Sequence, residues 1–329
     1  MKPQRTFSGM LMLGLLLLFT ASLSLAREKG PDDAMLEGSS SQTTGPDVAD
    51  PGTVRTSPRG IPLEARGTRD QGSPQTLNWQ IETVDDVGDV GQYTSLSLTS
   101  KDEPYVSYYD VGNEALKVAY LDGSTWDIDV VHSDPFYGYG EYTSLALDSS
   151  DLPHVSYYSA HDNFLQYASS DGDAWTVGTA DWNGGQYTSL AMGADDLPRV
   201  SHYDPVQQHL VYAYYNGAAW QREIVDESGD VGQYSSLAMQ GSYLQISYYD
   251  VTDGDLMIAT PGKGGWFTET VDGGPDDVGI GSSLEFDSKG HPHISYVDQT
   301  NLDLKYARFD GKKWLIETIE GKDVDVGGS

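Results

Sequence analysis

The sequence contains no cysteine, and this absence narrows the kinds of protein that it can encode. Without cysteine, neither a disulfide framework nor a lipid-modified N-terminal cysteine is possible. A large hydrophobic core can stabilise an exported domain without disulfides, so export is still compatible with the sequence.

Basic residues are scarce as well. The chain has 19 Lys and Arg against 50 Asp and Glu, and its formal net charge at pH 7 is −31. Such a chain repels polyanions, so we expect it to bind neither nucleic acid nor an anionic membrane surface. Solubility in a salty or extracellular medium accounts for most of the carboxylates.

Long apolar runs are missing except for Met10–Phe19, which is too short to span a bilayer. Lys2 and Arg5 precede this run and the Ser24–Ala26 segment follows it, an order typical of a secretory signal peptide. We therefore predict a signal peptide over residues 1–26, a secreted or cell-surface location, and no membrane span after cleavage. A bacterial exported protein fits these features best.

Residues 27–76 contain Gly, Pro, Ser, Thr and charged residues with little that is apolar. They cannot bury enough surface to offset the loss of chain entropy, so we predict a disordered linker. Residues 77–329 form one repetitive body. No part of it shows the 3.6-residue period of an amphipathic helix.

Tryptophan marks the repeat. Successive copies lie 47, 49, 45, 46 and 48 residues apart, at Trp79, Trp126, Trp175, Trp220, Trp266 and Trp314. Each unit contains four short runs rich in Val, Ile, Tyr and Thr, bounded by Gly, Pro, Asp or Ser, as expected for strands. A repeat of this length built from strands and turns is typical of a propeller blade.

These units predict an all-β fold, a β-propeller of four-stranded antiparallel blades. The first three strands of the unit occur five times and the fourth occurs six times, so five blades with one closing strand are favoured. The last residues, 323–329, copy the opening of another unit. A larger ring of six or more blades, of which this chain is a fragment, is therefore the alternative.

The turn before each tryptophan, such as Asp122-Gly123 or Asp310-Gly311, resembles the Asp-box of sialidase-like propellers, which also lies between the third and fourth strands. In that family the motif is a turn, so the resemblance implies structure rather than catalysis. The repeat length also resembles that of tachylectin-type lectin propellers. That likeness implies a binding protein and transfers no binding residues.

Strand direction alternates within a blade, so the loops between blades must share a face with the loops between second and third strands. Both sets are rich in carboxylates and aromatic residues. The candidate ligand-binding residues on the second strands and in the loops after them are Tyr109, Asp110, Tyr158, His161, Tyr203, Asp204, Tyr249 and Asp250.

Two loops depart from the repeat, and they give the most specific hypothesis about where a ligand binds. The loop before the second unit is aromatic where its relatives are acidic, and the next loop has a tryptophan outside the repeat register. We expect a ligand to stack there on Phe136, Tyr137, Tyr139 and Trp182.

Three interpretations of these residues remain open. Tyrosine rings with carboxylates suit a glycan or another extracellular polymer, whereas oxygen-rich loops could hold calcium as the one possible cofactor. Alternatively, Asp caps turns and Tyr packs between blades.

We favour a non-catalytic, lectin-like protein over a surface scaffold that binds another protein, or a sialidase-like hydrolase or lyase. Arginine is too scarce in the ring for a sialidase, and no carboxylate pair is singled out for catalysis.

Overall fold

A computed structural model describes residues 81–134 and 136–320 of the chain. The predicted signal peptide, residues 1–26, and the predicted linker, residues 27–76, lie outside this part. So do the closing residues 321–329. The described residues contain no helix long and apolar enough to cross a membrane.

Twenty strands form five four-stranded antiparallel sheets, each in simple sequential order. The first sheet contains β1 (Val90–Leu98), β2 (Pro104–Asp110), β3 (Ala115–Asp122) and β4 (Thr125–Ser133). The second contains β5 (Tyr139–Leu147), β6 (Pro153–Ser159), β7 (Phe164–Ser170) and β8 (Trp175–Asp181).

The third sheet contains β9 (Gln186–Met192), β10 (Pro198–Asp204), β11 (His209–Tyr215) and β12 (Trp220–Asp226). The fourth contains β13 (Val231–Gln240), β14 (Tyr243–Asp250), β15 (Asp255–Gly262) and β16 (Gly265–Asp272). The fifth contains β17 (Val278–Phe286), β18 (Pro292–Asp298), β19 (Asp303–Phe309) and β20 (Trp314–Glu320).

Successive sheets pack face to face, with their first strands innermost around a common axis. Alternation within each strand sends large apolar side chains into the space between sheets, where Leu, Val, Ile and Tyr form four separate cores. The predicted propeller of five four-stranded blades is therefore confirmed.

The repeated Ser-Leu pair of the inner strand joins one sheet to the next. Each leucine backbone N–H donates a hydrogen bond to the serine hydroxyl of the preceding sheet, at 2.9–3.0 Å. The four bonds run from Leu145 to Ser95, Leu190 to Ser144, Leu237 to Ser189, and Leu284 to Ser236. The serine therefore hydrogen-bonds one sheet to the next, in addition to being small enough for the crowded inner strand.

Most inner strands begin earlier than the sequence pattern predicts. The pattern places the first one at Tyr93, whereas β1 begins at Val90 and contains a bulge. Tyr93 itself adopts a left-handed φ of 53°, as do Tyr142, Tyr187 and Tyr234 at the same place in later sheets. An extra residue at a bulge interrupts the two-residue alternation, which hides the true start of the strand.

Candidate functional site

Loops from two kinds of connection meet on one face, which we call the acidic loop face. It consists of the loops between sheets and the loops between second and third strands. Backbone hydrogen bonds join them, for example from Val251 N to Asp230 O at 2.9 Å and from Gln299 N to Asp277 O at 2.8 Å. The sequence-based prediction that these loops share a face is therefore confirmed.

The four tyrosines predicted to bind ligand on this face are buried, and the hydroxyl groups of three of them donate hydrogen bonds to the loops. Tyr203 donates to Asp230 at 2.7 Å and Tyr249 donates to Asp277 at 2.6 Å. Tyr158 donates to Asn163, and Tyr109 lies beside Gly138. Burial, followed by the nearby Glu141 carboxylate, raises the pKa of Tyr109 to about 12. These rings hold the loops in place, and their role in ligand binding stays a prediction.

The carboxylates predicted alongside them are buried as well. Asp204 and Asp250 each accept hydrogen bonds from two backbone N–H groups of the following turn, as a turn-capping Asp does. Asp110 caps Asn113 in the same way and also pairs with Lys117 at 2.7 Å. The structure thus gives each of these carboxylates a structural role.

The aromatic residues of the exceptional loops lie closer to solvent. Phe136 is 77% exposed, and Tyr137 stacks on Tyr139 with ring centres 6.1 Å apart. His161 contacts the Tyr137 ring edge-on at 5.0 Å. This part of the acidic loop face is therefore an exposed aromatic surface, as the sequence suggests.

Trp182 is separated from that surface by the loop of residues 160–163. It is 66% exposed and packs edge-on against Phe164, and the Gly184 N–H beside it bonds to Asn163 O. The loop of residues 160–163 bonds to Tyr137 and Gly138 on its other side. The structure thus places Trp182 on the same face as Phe136 and Tyr137, with this loop between them.

A cleft of about 580 Å³ opens on the opposite face, between the third and fourth sheets. We call it the 3/4 cleft and define it by Arg199, Tyr212, Tyr214, Glu223 and Trp266, with Asp195, Met239, Gly241, Leu244 and Pro261 completing the wall. Its volume lies within the range of small-molecule sites in proteins. None of the candidate ligand-binding residues chosen from the sequence lies on this face.

A shortened hairpin accounts for the opening. Five residues join the first two strands in every sheet except the fourth, where Gly241 and Ser242 alone make the turn. In the earlier sheets these loops bond across the junction, as Ser100 does to Asp151 and Ser149 does to Asp196. The fourth sheet lacks a loop long enough to reach its neighbour, so the space beside residues 193–197 stays open.

Three aromatic rings line this cleft. Tyr212 stacks on Tyr214 with ring centres 5.4 Å apart, and Trp266 meets Tyr212 edge-on at 5.2 Å. Tyr212 is buried, and burial raises its pKa to about 12, so its hydroxyl stays protonated at neutral pH. Tyr214 and Trp266 remain partly exposed and present ring surface to the opening.

Charged groups surround the rings. Arg199 lies over the Tyr214 ring at 6.0 Å and donates to Asp195 at 2.9 Å. Backbone carbonyls of Leu197 and Pro198 hold the same guanidinium in place. On the opposite wall Glu223 accepts the Trp266 indole N–H at 3.0 Å and is exposed to solvent.

The other junctions do not reproduce this set of side chains. Between the fourth and fifth sheets, Gln245, Ile258 and Thr260 replace the arginine and the two tyrosines, whereas Glu269 and Trp314 repeat the acid and the tryptophan. Between the second and third sheets the equivalent positions carry His154, Tyr167, Ser169, Gly178 and Trp220. Between the first and second sheets they carry Tyr105, Val118, Tyr120, Asp129 and Trp175, and Tyr105 stacks on Tyr120. The repeat thus supplies the tryptophan, and the third sheet adds Arg199 beside its tyrosine pair.

Sequence reasoning missed the 3/4 cleft although two signals were present. Four residues lie between Met239 and Leu244, one fewer than the five at the corresponding place of every other unit. Arg199 is also one of few arginines in the ring. Comparing turn lengths between units, rather than turn composition, would have located the opening.

Metal binding has little support in the described residues, where no group of three or more His, Asp or Glu side chains is placed to hold an ion. Calcium at the acidic loops stays a sequence-based prediction.

Comparisons with known proteins support the architecture. No protein-family model matches the sequence, and no curated protein matches it either. A triple mutant of AofleA from Arthrobotrys oligospora superimposes with a TM-score of 0.51 at 14% identity, covering 73% of this chain and 76% of that one.

Two further structures align over similar lengths. A Hadza microbial sialidase gives a TM-score of 0.49 at 13% identity, with 70% of this chain and 59% of that chain covered. The Aleuria aurantia lectin AAL, in complex with Fucα1-6GlcNAc, gives 0.48 at 14% identity, with 69% and 78% covered. The likeness to AofleA, at 14% identity, concerns the fold alone.

Proposed function

We propose that this protein binds carbohydrate, and that the 3/4 cleft is the binding site. The observation that carries the proposal is the combination of exposed aromatic rings with fixed charged groups in one opening, at one junction of a repeated scaffold. Together with the signal peptide predicted from the sequence and the acidic charge, the proposal places this binding outside the cell.

The chemistry of a sugar matches this lining. A pyranose ring has an apolar C–H face, which packs against aromatic rings such as Tyr214 and Trp266. Its hydroxyl groups both donate and accept hydrogen bonds, so they can pair with the guanidinium of Arg199 and with the carboxylate of Glu223. Because Arg199 is held by backbone carbonyls, little side-chain entropy is lost when a ligand binds.

The cleft continues outward. A second depression of about 450 Å³ shares Glu223, Pro261 and Trp266 with it and extends to Gly262 and Gly265. Trp266 therefore lies between two adjoining spaces. We infer that the ligand is an oligosaccharide of at least two units, with the tryptophan between neighbouring sugars.

A glycan array probed with the full chain tests this proposal, followed by titration of the best oligosaccharide. We expect a sugar-specific signal that Tyr214→Ala lowers by about tenfold in affinity, the loss of one aromatic contact. Thr260→Ala, at the equivalent position of the next junction, is the matched control and should bind normally.

A second variant closes the cleft without removing any of its side chains. Replacing residues 240–243 by the five-residue loop of the third sheet, residues 193–197, should fill the opening and abolish binding. If Trp182→Ala abolishes binding while both of these changes leave it intact, the exposed aromatic surface is the site instead. An array with no signal, together with a captured surface protein, supports the scaffold alternative and rejects the carbohydrate proposal.

A further inference from the structure

Among the strands that the structure describes, none covers one face of the first sheet or one face of the fifth sheet, although every other junction buries these faces. Leu96 on β1 is 62% exposed, whereas its equivalents are 3–7% exposed. These equivalents are Leu145, Leu190, Leu237 and Leu284. The neighbouring Leu98 is 51% exposed. In the described residues no strand of the fifth sheet packs against the first sheet as successive sheets pack.

The fifth sheet has exposed residues on the face that would pack against a following sheet. Ser295 is exposed, whereas the serines at this position in the other sheets are fully buried and bond to a hydroxyl of the next sheet. Those bonded pairs are Ser107 with Thr143, Ser156 with Thr188, Ser201 with Ser235, and Ser247 with Ser282. Ile319 is 57% exposed where Val225 and Val271 are 7% and 6%.

Part of this chain already lies where the fourth strand of a sheet between the fifth and first sheets would be. Residues 81–85 run beside the first sheet at the place that the fourth strand of a preceding sheet would take. Glu82 accepts the Trp126 indole N–H at 3.4 Å, as Glu223 accepts that of Trp266 at the 3/4 cleft. Asp85 accepts the Tyr108 hydroxyl at 2.8 Å, as Asp272 accepts that of Tyr296.

We propose that the space between the fifth and first sheets is a docking site for a three-stranded antiparallel segment, built like the first three strands of these repeats and supplied by a partner polypeptide. The four existing junctions define its chemistry. Its inner strand would carry a Ser-Leu pair, and its second strand a Val or Ile followed by Ser.

Both residues of that Ser-Leu pair would find a hydrogen-bond partner on a neighbouring sheet. The leucine N–H of the segment would donate to the Ser283 hydroxyl, and its apolar side chain would cover Leu304 and Ile319. Its serine hydroxyl would accept the N–H of Leu96, which has no such acceptor among the described residues. Residues 81–85 would then lie along its third strand as the fourth strand of a sixth sheet.

The experiment extends the full chain after Ser329 with a copy of residues 231–262, the first three strands of the fourth sheet. Amide hydrogen exchange of Leu96 is the readout, with that of Leu237 as the internal reference. We expect exchange at Leu96 to slow by about a hundredfold or more, because the amide becomes bonded and buried. The thermal unfolding midpoint should rise at the same time.

The control carries the same extension with the leucine equivalent to Leu237 changed to Asp, and it should leave exchange at Leu96 fast. Fast exchange in the extended chain would overturn the proposal. Slow exchange at Leu96 in the unextended chain would do so too, because the face would already be covered. Protection that appears only with rising protein concentration, together with a dimer by light scattering, would identify a second copy as the occupant and reject the partner segment.

Discussion

The first and fourth sheets are built from the same four-stranded repeat. Three equivalent positions nevertheless differ, two in their surroundings and one in the residue present. The third sheet packs on the inner-leucine side of the fourth sheet, which buries Leu237 and creates the 3/4 cleft. No strand within residues 81–134 and 136–320 packs in this way on the first sheet, and Leu96 is exposed. Trp266 lines a cleft while Trp126 faces residues 81–85. The difference teaches that the repeat specifies a sheet, and that its neighbour decides whether the sheet carries a site.

The third difference concerns charge. In the first sheet Lys117 lies between two buried carboxylates, at 2.7 Å from Asp110 and 3.1 Å from Asp85. The fourth sheet has Met257 at the equivalent place, between the buried Asp226 and Asp250. The fifth sheet follows the first, with Lys305 between Asp272 and Asp298.

The pKa values of the two aspartates respond accordingly. Burial alone would raise the pKa of Asp110, but hydrogen bonds from Lys117 and Asn113 outweigh it and hold that pKa below its ordinary value. For Asp250, burial together with the nearby Asp253 and Asp226 carboxylates raises the pKa despite two backbone hydrogen bonds. A buried carboxylate is thus stabilised as an anion in one sheet and destabilised in the other.

The largest expected effect is the difference in the loss of stability when a buried leucine and an exposed leucine at the same repeat position are each replaced by alanine. Leu237→Ala should lower the free energy of unfolding by about 3 kcal/mol, because it leaves a cavity between two packed sheets. Leu96→Ala should cost less than about 1 kcal/mol, because its side chain already faces solvent. Denaturant unfolding of both variants measures the difference, and equal losses would mean that Leu96 is also buried.

Removing the cation of the first sheet should give the next largest effect. We expect Lys117→Met to cost about 2 kcal/mol at pH 7, because two buried carboxylates lose their counter-charge. The low folded-state pKa of Asp110 contributes stability above the ordinary Asp pKa, and this contribution is lost as pH falls through the folded value. The penalty should therefore shrink towards pH 3, and a penalty independent of pH would contradict the assignment.

Trp266→Ala should lower glycan affinity by about tenfold, equivalent to about 1.4 kcal/mol, because the ring lies between the two spaces of the cleft. Trp126→Ala removes the same residue from the same place in the first sheet and should leave affinity unchanged. Calorimetric titration of both variants with the array-selected oligosaccharide makes the comparison. An equal loss in the two variants would point to a general effect on the fold.

The smallest expected effect comes from adding a cation to the fourth sheet. Met257→Lys should stabilise the protein by about 1 kcal/mol at pH 7, by giving Asp226 and Asp250 the partner that the first sheet has. The raised folded-state pKa of Asp250 favours the native state below the ordinary Asp pKa, and that contribution is lost as pH rises through the folded value. The gain from lysine should therefore vanish near pH 3, which thermal unfolding at both pH values would show.

The fold was predictable because each unit repeats the same local signals. Asp-Gly and Asn-Gly turns before Trp126, Trp175 and Trp220 set the outer hairpins, and strand alternation set which side chains meet. The bulge at Tyr93 was missed, because a tyrosine with left-handed φ interrupts that alternation. Gly91, with φ of 94°, and Gly281, which takes the tyrosine's place in the fifth sheet with φ of 63°, are the signals that mark it.

The candidate site was predictable only in part. Repetition drew attention to Tyr203 and Asp204, which the structure uses to hold turns. The exposed positions of Phe136 and Trp182 agree with their departure from the repeat. The 3/4 cleft depends on a hairpin that is one residue shorter than in the other units and on side chains from two sheets, so no single stretch of sequence contains it.

The most direct test is a nuclear magnetic resonance spectrum of the indole N–H groups, of which the chain has seven, recorded while the array-selected oligosaccharide is added. The account predicts that the Trp266 signal shifts in proportion to binding while the Trp126 signal stays in place. A shift at Trp182 with none at Trp266 would contradict it and move the site to the acidic loop face.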